Sequence, residues 1–577
     1  MPNFKNKKAP NFNMKEAKII LGIAFLFTLV IPFAHAAGFN YVIANSEKWT
    51  DVYSGIMYAN LQGIPNNFLI STSDGNILLA ELPKNDYIRV LSSTDQPYVL
   101  NYPATIKAAG FAGADEISGS NLNLQLANDL PNITNFIVVS DSFGYNAIAV
   151  APYALLTHSW VFLANPNNIY QIDSILSKRT VNSLLVYGYV DPSIDTVLAK
   201  YHPQIINTGD RFDDNIAIVN KYMQIKPTEQ VILTNGEFLE QEVMSGTEPV
   251  LFTGQQNVPS QISSWLKNSS VKVGVLIGNN LVNAATNIRA TTGISVFVKF
   301  ARSARDQTGG GVAPVQGLTL FPVPTPTMDL ILHSVDYNSA NSQLYVTYQS
   351  QSNIPIYMQG TVTVSSSGNQ IRTGDLNPVF VTPGEYKTMA YPISLTPSGN
   401  MTAQIYALYG ETPNGLEDVL SNTTSINMIQ VIDPCKLDNS SIQSVDYNKQ
   451  EQAIFVKIKN PASVACWATA QINNIQIGFA TSTIGTNGAV AIPPGKVGNL
   501  EIKQALSSSD IQNNPYVDLS VFSGEKEDSL VNTLEGQFPL HVEALTTLTY
   551  SIIAVVIVLL GMVILLIILR KNKKEYY

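Results

Sequence analysis

The sequence predicts a multidomain chain of the α/β plus all-β class, with three tandem α/β repeats, two β-sandwiches and one C-terminal transmembrane helix. Three observations lead to this prediction. An α/β pattern occurs three times between Gly38 and Arg305, and a pattern of alternating strands occurs twice after residue 327. A segment of 20 residues without charge runs from Tyr550 to Leu569, which is long enough to cross a bilayer as a helix.

The two ends of the chain predict an exported protein that is anchored in the membrane. Lysines near the N-terminus precede an apolar run, Ile19 to Ala34, and Ala34-His35-Ala36 has the small-x-small pattern of a signal-peptidase site. Cations follow the C-terminal apolar segment at once, from Arg570 to Lys574, and such flanks stay in the cytoplasm. We therefore expect a single-pass cell-surface protein with an extracellular N-terminus and a cytoplasmic C-terminus.

The same patterns divide the chain into nine segments. In chain order, the predicted boundaries are a signal peptide at 1–36, α/β repeats at 37–130, 131–226 and 227–305, a Gly/Pro-rich linker at 306–327, β-sandwiches at 328–432 and 433–547, a transmembrane helix at 548–569 and a basic tail at 570–577.

Each α/β copy opens with a short, uninterrupted apolar strand that ends in a polar turn: Tyr41 to Ser46, Ile137 to Ser142 and Val231 to Gly236. Runs of this kind are typical of strands buried on both faces. Each copy closes with a glycine before a helix, at Gly119, Gly209 or Gly293, and the third copy has lost most of its first helix. Strands and helices that alternate at this pitch predict a Rossmann-like unit with a parallel sheet and crossover helices.

The second copy carries a string, Gly209-Asp210-Arg211-Phe212, that leads into a helix. With the strand Ile137 to Ser140, it resembles the cell wall-binding repeat of type 2, an α/β module of surface-layer proteins and autolysins. In the first copy, Trp49-Thr50-Asp51 is similar to an aromatic-x-Asp segment of that family. The resemblance implies that three repeats form one unit that holds an anionic wall polymer. It makes Trp49, Asp51, Gly209, Asp210 and Arg211 the candidate binding residues.

The C-terminal half contains two related copies of a β-rich pattern. Ser334 to Asn338 recurs as Ser444 to Asn448, about 110 residues later, and the turn Pro383-Gly384 recurs as Pro494-Gly495. This offset fits one immunoglobulin-like sandwich in each copy. Only the second copy has cysteines, Cys435 and Cys466, and we expect them to form a disulfide in an oxidising compartment.

Composition restricts the partners of this chain. The formal net charge is −9, and the balance is more negative between the ends, because basic residues concentrate in the two end segments. Nothing would compensate phosphate repulsion, so we expect no nucleic-acid binding. Five sequons predict sites for N-glycosylation, at Asn132, Asn268, Asn400, Asn422 and Asn439.

No motif in the chain predicts catalysis. The sequence has no Gly-x-Ser-x-Gly elbow, no phosphate-binding loop and no helical histidine pair for zinc. We therefore predict a non-enzyme without catalytic residues, metal or cofactor.

These observations together predict a structural or binding protein of the cell envelope, associated with a surface layer. Its α/β part would bind envelope glycan or neighbouring surface-layer subunits, and self-assembly is compatible with this role. An anchor of this kind suits an envelope without peptidoglycan, so we expect an archaeal source.

One alternative is a membrane-anchored solute receptor that uses Asn45, Asp141 and Asn235 at the carboxyl ends of strands. A second alternative is a degenerate hydrolase of cell-surface polymers.

Overall fold

The computed structural model of the protein describes residues 38–278, 281–300, 320–366, 369–395, 401–478 and 480–542. The predicted signal peptide, transmembrane helix and basic tail lie outside these ranges, as does the sequon at Asn400. Among the described residues, no helix has the length and apolar character needed to cross a membrane. We call residues 38–300 the α/β head, residues 328–432 the first β domain and residues 433–542 the second β domain.

The α/β head consists of three consecutive units. The first unit contains β1 (Tyr41–Asn45), α1 (Trp49–Leu61), β2 (Asn66–Phe68), α2 (Asp74–Glu81), β3 (Tyr87–Ser93), α3 (Tyr102–Ala108), β4 (Gly113–Gly119) and α4 (Leu122–Asn128). The second contains β5 (Asn135–Ser140), α5 (Tyr145–Leu156), β6 (Ser159–Ala164), α6 (Ile169–Leu176), β7 (Ser183–Tyr187), α7 (Pro192–Leu198), β8 (Gln204–Ile206) and α8 (Arg211–Ile225). The third contains β9 (Gln230–Thr234), β10 (Phe238–Leu239), β11 (Val250–Phe252), α9 (Ser260–Asn268), β12 (Val273–Gly278), α10 (Val282–Thr292) and β13 (Ser295–Phe300).

The three units have the same sheet topology. Their four-stranded sheets run in the orders β2-β1-β3-β4, β6-β5-β7-β8 and β11-β9-β12-β13, and all pairs are parallel. In the third unit, residues 235–249 form turns and β10 in place of the first helix. The prediction of three parallel α/β units followed by an all-β part is confirmed.

Small residues allow the first helices of the first two units to pack closely. Gly55 on α1 has Ala44 Cβ and a Leu91 methyl at 3.2 and 3.3 Å from the position that a Cβ would take. On α5, Ala147 to Ala151 are all buried, and Tyr53 donates a hydrogen bond to the Ala147 carbonyl at 3.0 Å. As a result, residues of all three units form one continuous apolar core.

Two asparagines fasten the closing helix of one unit to the edge strand of the next. Asn123 on α4 donates to the Val161 carbonyl on β6 at 2.9 Å and accepts from the Leu163 amide at 3.1 Å. Asn215 on α8 makes the same pair of bonds to β11, at 3.0 and 2.7 Å. Edge strands carry unpaired backbone groups, and these side chains satisfy them. The clamps therefore join the three units into a single body.

The linker region and the two β domains contain the remaining elements. The linker has β14 (Phe321–Pro322). The first β domain has β15 (Leu330–Asn338), β16 (Gln343–Ser350), β17 (Ile356–Ser366), β18 (Asn369–Gly374), β19 (Val379–Val381), β20 (Tyr386–Pro392), β21 (Thr402–Gly410), β22 (Asp418–Ser425) and β23 (Asn427–Ile429). The second has β24 (Ile442–Asn448), β25 (Ala453–Lys459), β26 (Cys466–Ile477), β27 (Ala480–Gly485), β28 (Val490–Ile492), β29 (Val497–Lys503), α11 (Ser508–Asn513), β30 (Tyr516–Gly524) and β31 (Asn532–Val542).

The two β domains share one topology. In the first, sheets β20-β16-β15-β23 and β18-β17-β21-β22 enclose one core. In the second, the order β27-β26-β30-β31-β24-β25-β29 repeats this arrangement, because the long strand β31 pairs with both β30 and β24. A register shift also occurs at the same place in both, before Ser334 and before Ser444. The duplication in the sequence is thus a structural duplication.

The predicted disulfide is present. Cys435 and Cys466 are bonded, with their Cα atoms 5.6 Å apart and a sequence separation of 31. The bond ties the segment that enters the second β domain to the start of β26. On the chain-entropy account, a loop of this length stabilises the fold by roughly 3–4 kcal/mol.

The described end of the Gly/Pro-rich linker is packed on the head. Its strand β14 pairs with β10, and the Phe321 side chain is only 2% exposed. The Gly144 amide donates to the Pro324 carbonyl at 3.0 Å. Residues 320–324 therefore belong structurally to the head, although the sequence predicts an extended linker there.

Replacement of Asn215 by alanine should lower the stability of the head. The change leaves a buried carbonyl and a buried amide of β11 without partners, which costs about 1–3 kcal/mol for each group. The thermal midpoint of a chain spanning residues 38–542 should fall by several degrees in Asn215→Ala. The exposed control Asn167→Ala should leave it unchanged. Equal midpoints for both variants would show that the clamp is not needed.

Candidate functional site

The candidate binding segment, Gly209 to Phe212, begins helix α8 at the end of the second unit. Gly209 has a φ of +82°, a left-handed conformation that glycine adopts without strain. Asp210 is the N-cap residue, and its carboxylate accepts from the Phe212 amide at 2.8 Å and the Asp213 amide at 3.3 Å. The local structure is therefore that of a capped helix start.

Arg211 points away from solvent into the junction between the head and the first β domain. Its side chain is 8% exposed, and its guanidinium forms ion pairs with Glu417 and, at 3.3 Å, with Glu411. The guanidinium carbon also lies 5.0 Å from the ring centre of Tyr145 and 4.7 Å from that of Phe212. The prediction that Arg211 contacts an external anion is corrected by this geometry, because carboxylates of the same chain enclose the cation.

The loop of residues 411–417, between β21 and β22, supplies these carboxylates. Gly410 precedes it, and a Cβ there would lie 2.0 Å from the Gly415 carbonyl oxygen, so only glycine fits. Gly415 in turn allows the ring of Phe212 to approach, since a Cβ would lie 2.8 Å from that ring. The Thr412 hydroxyl donates to the Asp210 carboxylate. The loop thus matches the start of α8 in both shape and polarity.

Other contacts extend the junction beyond the ion pairs. The Asn257 amide of the third unit donates to the Glu417 carbonyl at 2.9 Å, and its side chain donates to the Leu416 carbonyl at 2.5 Å. Ala480 of the second β domain lies against Gly209, at 3.4 Å from the position of an added Cβ. The segment with the family resemblance is therefore where both β domains meet the head.

One guanidinium faces more carboxylates than it can neutralise. Burial raises the pKa of Glu417 to about 8; the nearby Arg211 opposes this rise, and the Asp418 and Glu411 carboxylates add to it. Burial likewise raises the pKa of Asp418 to about 6. Burial alone would lower the pKa of Arg211, but Glu417 and Glu411 raise it above its ordinary value. The cation therefore stays charged, and protons neutralise part of the acidic excess.

The other two candidate residues lie in the core of the first unit. Trp49 is 9% exposed and Asp51 is 2% exposed. The Asp51 carboxylate accepts from the Ser46 hydroxyl at 3.0 Å and from the Leu122 amide at 3.2 Å, at the start of α4. The predicted ligand contact of Trp49 and Asp51 is thus corrected to a structural one, because neither side chain reaches the surface.

The residues proposed for a solute receptor do not form a common site. Asn45 is fully buried and bonded to Ser92 and to the backbone of Val99. Asn235 is 5% exposed, and Asp141 accepts from the side chain of Asn165. Each lies at the carboxyl edge of a different sheet, as the sequence predicts. The three side chains are therefore spread over three separate units.

Several surface features bear on partners. The four sequon asparagines within the described residues are exposed: Asn132, Asn268, Asn422 and Asn439.

An open groove of about 470 Å³ lies between α4 and α6, with Lys178 and Arg179 in its lining. Arg179 donates to the carbonyls of Ala127, in the last turn of α4, and Leu130, just after it, so its guanidinium stabilises the fold. Within the described ranges, no group of three or more His, Cys, Asp or Glu residues could hold a metal ion.

Sequence reasoning missed Glu411 and Glu417. The signal was the Tyr409-Gly410-Glu411 turn, which recurs as Ser523-Gly524-Glu525 and which indicates only that the same turn is used twice in the chain. Nothing near this turn in the sequence shows that it faces an arginine about 200 positions earlier.

No protein-family model and no curated protein matches the chain. Among solved structures, the chain is similar to Cwp6 from Clostridium difficile, with 15% identity and a TM-score of 0.36, and to Cwp8 from Clostridium difficile, with 14% identity and a TM-score of 0.37. Both alignments cover 44% of this chain, and they cover 44% of Cwp6 and 47% of Cwp8. The chain therefore spans less than half the length of these two proteins. The periplasmic chaperone SfaE is similar over 37% of this chain and 100% of its own, with 9% identity and a TM-score of 0.13.

The junction should become less stable as pH rises. In the folded protein the pKa of Glu417 lies above its ordinary value. The contribution of Glu417 to the free energy of unfolding is therefore fully present when the pH is below that ordinary pKa, and it is lost as the pH rises through about 8. The free energy of unfolding of residues 38–542 should fall between about pH 5 and about pH 8, by up to about 1.4 kcal/mol per pH unit. A falling thermal midpoint over the same pH range measures this loss. Glu417→Gln, which does not titrate, should show a smaller fall.

Glu229→Gln is the matched control, because this glutamate forms an exposed ion pair with Lys272. Its pH dependence should equal that of the unmodified protein. A Glu417→Gln profile parallel to that of the control would contradict the assignment of the titrating group.

Proposed function

We propose that this chain is a structural protein of the cell envelope, anchored in the membrane, with an α/β head held fixed on two β domains. The observation that carries the proposal is the buried Arg211–Glu417 pair between the head and the first β domain. Domains of one chain usually move relative to each other. A buried ion pair fixes geometry, since separation of the partners would leave an uncompensated buried charge. A fixed head suits a protein that holds a position rather than one that closes on a substrate.

The proposed location outside the membrane rests on several independent features. The Cys435–Cys466 disulfide requires an oxidising compartment. The exposed sequons are suited to glycosylation. The sequence adds a signal-peptide pattern and a C-terminal apolar segment followed by cations. In this proposal the chain has no catalytic role and needs no cofactor.

The partner in this proposal is envelope glycan, or the glycan of a neighbouring surface-layer subunit. Arg211 is enclosed, so recognition falls on another part of the head. Tyr170, at the start of α6, is 71% exposed, and Tyr189, just after β7, is 60% exposed. Both follow strands of the second sheet at its carboxyl edge, the edge at which Asp141 and Asn165 also follow their strands. Exposed aromatic rings beside amide and carboxylate groups can stack on sugar rings and bond to their hydroxyls.

Envelope binding should depend on the two exposed tyrosines. A soluble chain of residues 38–542 should bind isolated envelopes in a sedimentation assay. The Tyr170→Ala/Tyr189→Ala variant should bind about tenfold more weakly, since each ring contributes about 0.5–1.5 kcal/mol. Tyr516→Ala, at a similarly exposed tyrosine of the second β domain, is the control and should bind normally. Unchanged binding of the double variant would remove this surface from the proposal.

Membrane attachment should depend on the C-terminal segment. A chain that stops after Val542 should be found in the medium, whereas the full chain should require detergent for extraction. Cell fractionation and protease treatment of intact cells measure both outcomes. Retention of the truncated chain on washed membranes would contradict attachment through the C-terminal helix.

A further inference from the structure

The two β domains meet at a seam that contains a buried lysine. Lys387 lies on β20 of the first β domain and is 2% exposed. Its ammonium group lies 3.4 Å from the ring centre of Phe522 on β30 of the second β domain. Next to it, the Thr382 hydroxyl donates to the Thr486 carbonyl across the seam at 2.7 Å. The lysine nitrogen is therefore shielded from water by both domains.

Two functional groups face this nitrogen. The Gln471 carboxamide oxygen, on β26, lies 3.2 Å from Lys387 Nζ, and Glu385 Oε1 lies 3.4 Å from it. The other Glu385 oxygen accepts from the Thr382 amide at 2.8 Å, so the carboxyl group is held in place. The Gln471 Nε2 group donates to Asn473 Oδ1 at 3.0 Å, which orients the carboxamide oxygen toward the lysine.

The surroundings favour an uncharged amine. Burial lowers the pKa of Lys387, and the Glu385 carboxylate opposes this shift. Glu385 is also buried, at 4% exposure. An ammonium group without water around it is costly, and loss of its proton removes that cost. The deprotonated Lys387 side chain is a neutral amine, which is a nucleophile, and the Glu385 carboxyl group beside it can carry a proton between nitrogen atoms.

We propose that Lys387 and Gln471 form an intramolecular amide cross-link between the two β domains, with Glu385 as the proton relay. Close approach of the amine and the carboxamide replaces an encounter in solution, and such positioning lowers the barrier to reaction between the two groups. The proposal is independent of the envelope function.

The reaction balances without an oxidant or a co-reactant. The Lys387 Nζ lone pair attacks Cδ of Gln471, so that an Nζ–Cδ bond forms. Glu385 takes a proton from Nζ and delivers one to Nε2, and the Cδ–Nε2 bond then breaks. Ammonia leaves toward solvent past the half-buried Gln471 and Asn473 side chains. The product is a secondary amide, and the buried positive charge is gone.

Such a bond would join residues 84 positions apart in the chain and two separately folded domains. It would connect the first β domain to the second through one covalent link besides the backbone, whereas the Cys435–Cys466 disulfide lies within the second β domain. Pulling forces on the head would then pass through the seam without separating the domains.

Mass spectrometry of residues 38–542, produced in a host that adds no N-linked glycans, tests the proposal. After reduction of the disulfide, the intact protein should be lighter than its sequence mass by one ammonia. Trypsin does not cleave after an acylated lysine, so digestion should leave segment 373–436 joined to segment 460–496. A reduced protein with the full sequence mass, or recovery of 373–387, 388–436 and 460–496 as separate peptides, would overturn the proposal.

Three variants identify the participants. Lys387→Arg keeps the positive charge but lacks the nucleophile. Glu385→Gln keeps an oxygen that can accept from the Thr382 amide but lacks the proton relay. Both should lose the joined segments, with at least a tenfold drop for Glu385→Gln. The control Lys503→Arg, at an exposed lysine, should retain the full cross-link. A cross-link of normal yield in Glu385→Gln would overturn the role of the relay, and circular dichroism verifies that each variant is folded.

Discussion

The guanidinium of Arg211, enclosed between the head and the first β domain, is the constraint on which the arrangement of the domains depends. A buried cation must keep the groups that bond to it, because leaving it buried without them costs several kcal/mol. Glu417 and Glu411 must therefore stay at the start of α8. The two glycines of the loop follow from the same requirement, since Gly410 allows the loop to return on itself and Gly415 admits the ring of Phe212.

The duplication of the β domains repeats this way of docking. In the second β domain, Gly524 corresponds to Gly410, and a Cβ there would likewise lie 2.0 Å from a loop carbonyl, that of Ser529. The loop after Gly524 carries Asp528, which lies 3.2 Å from His333 of the first β domain. The equivalent loop in each domain thus contacts the domain that precedes it. The same turn geometry supports a buried, highly charged contact in one place and an exposed, weaker one in the other.

The three units of the head are held together by different contacts. Asn123 and Asn215 satisfy the edge strands of the following units, so the three sheets cannot separate without exposing backbone groups. Because the units and the β domains are fastened in sequence, a force on the head would be transmitted to the second β domain. The proposed cross-link at Lys387 lies in the same line of contacts.

Several features of this protein were determined by the sequence itself. Uninterrupted apolar runs predict the buried parallel strands, repeated motifs predict the duplicated β domains, and a chain with only two cysteines allows only one disulfide. The apolar runs and the motifs can be recognised within short segments, and two cysteines have only one possible pairing, so none of these predictions needs the tertiary structure. The tertiary structure alone decided the role of Arg211, which the sequence assigns to a ligand and the structure assigns to Glu417, 206 residues later. The physical reason is that a charged residue at a helix start looks the same in sequence whether water, a polymer or another domain of the same chain covers it.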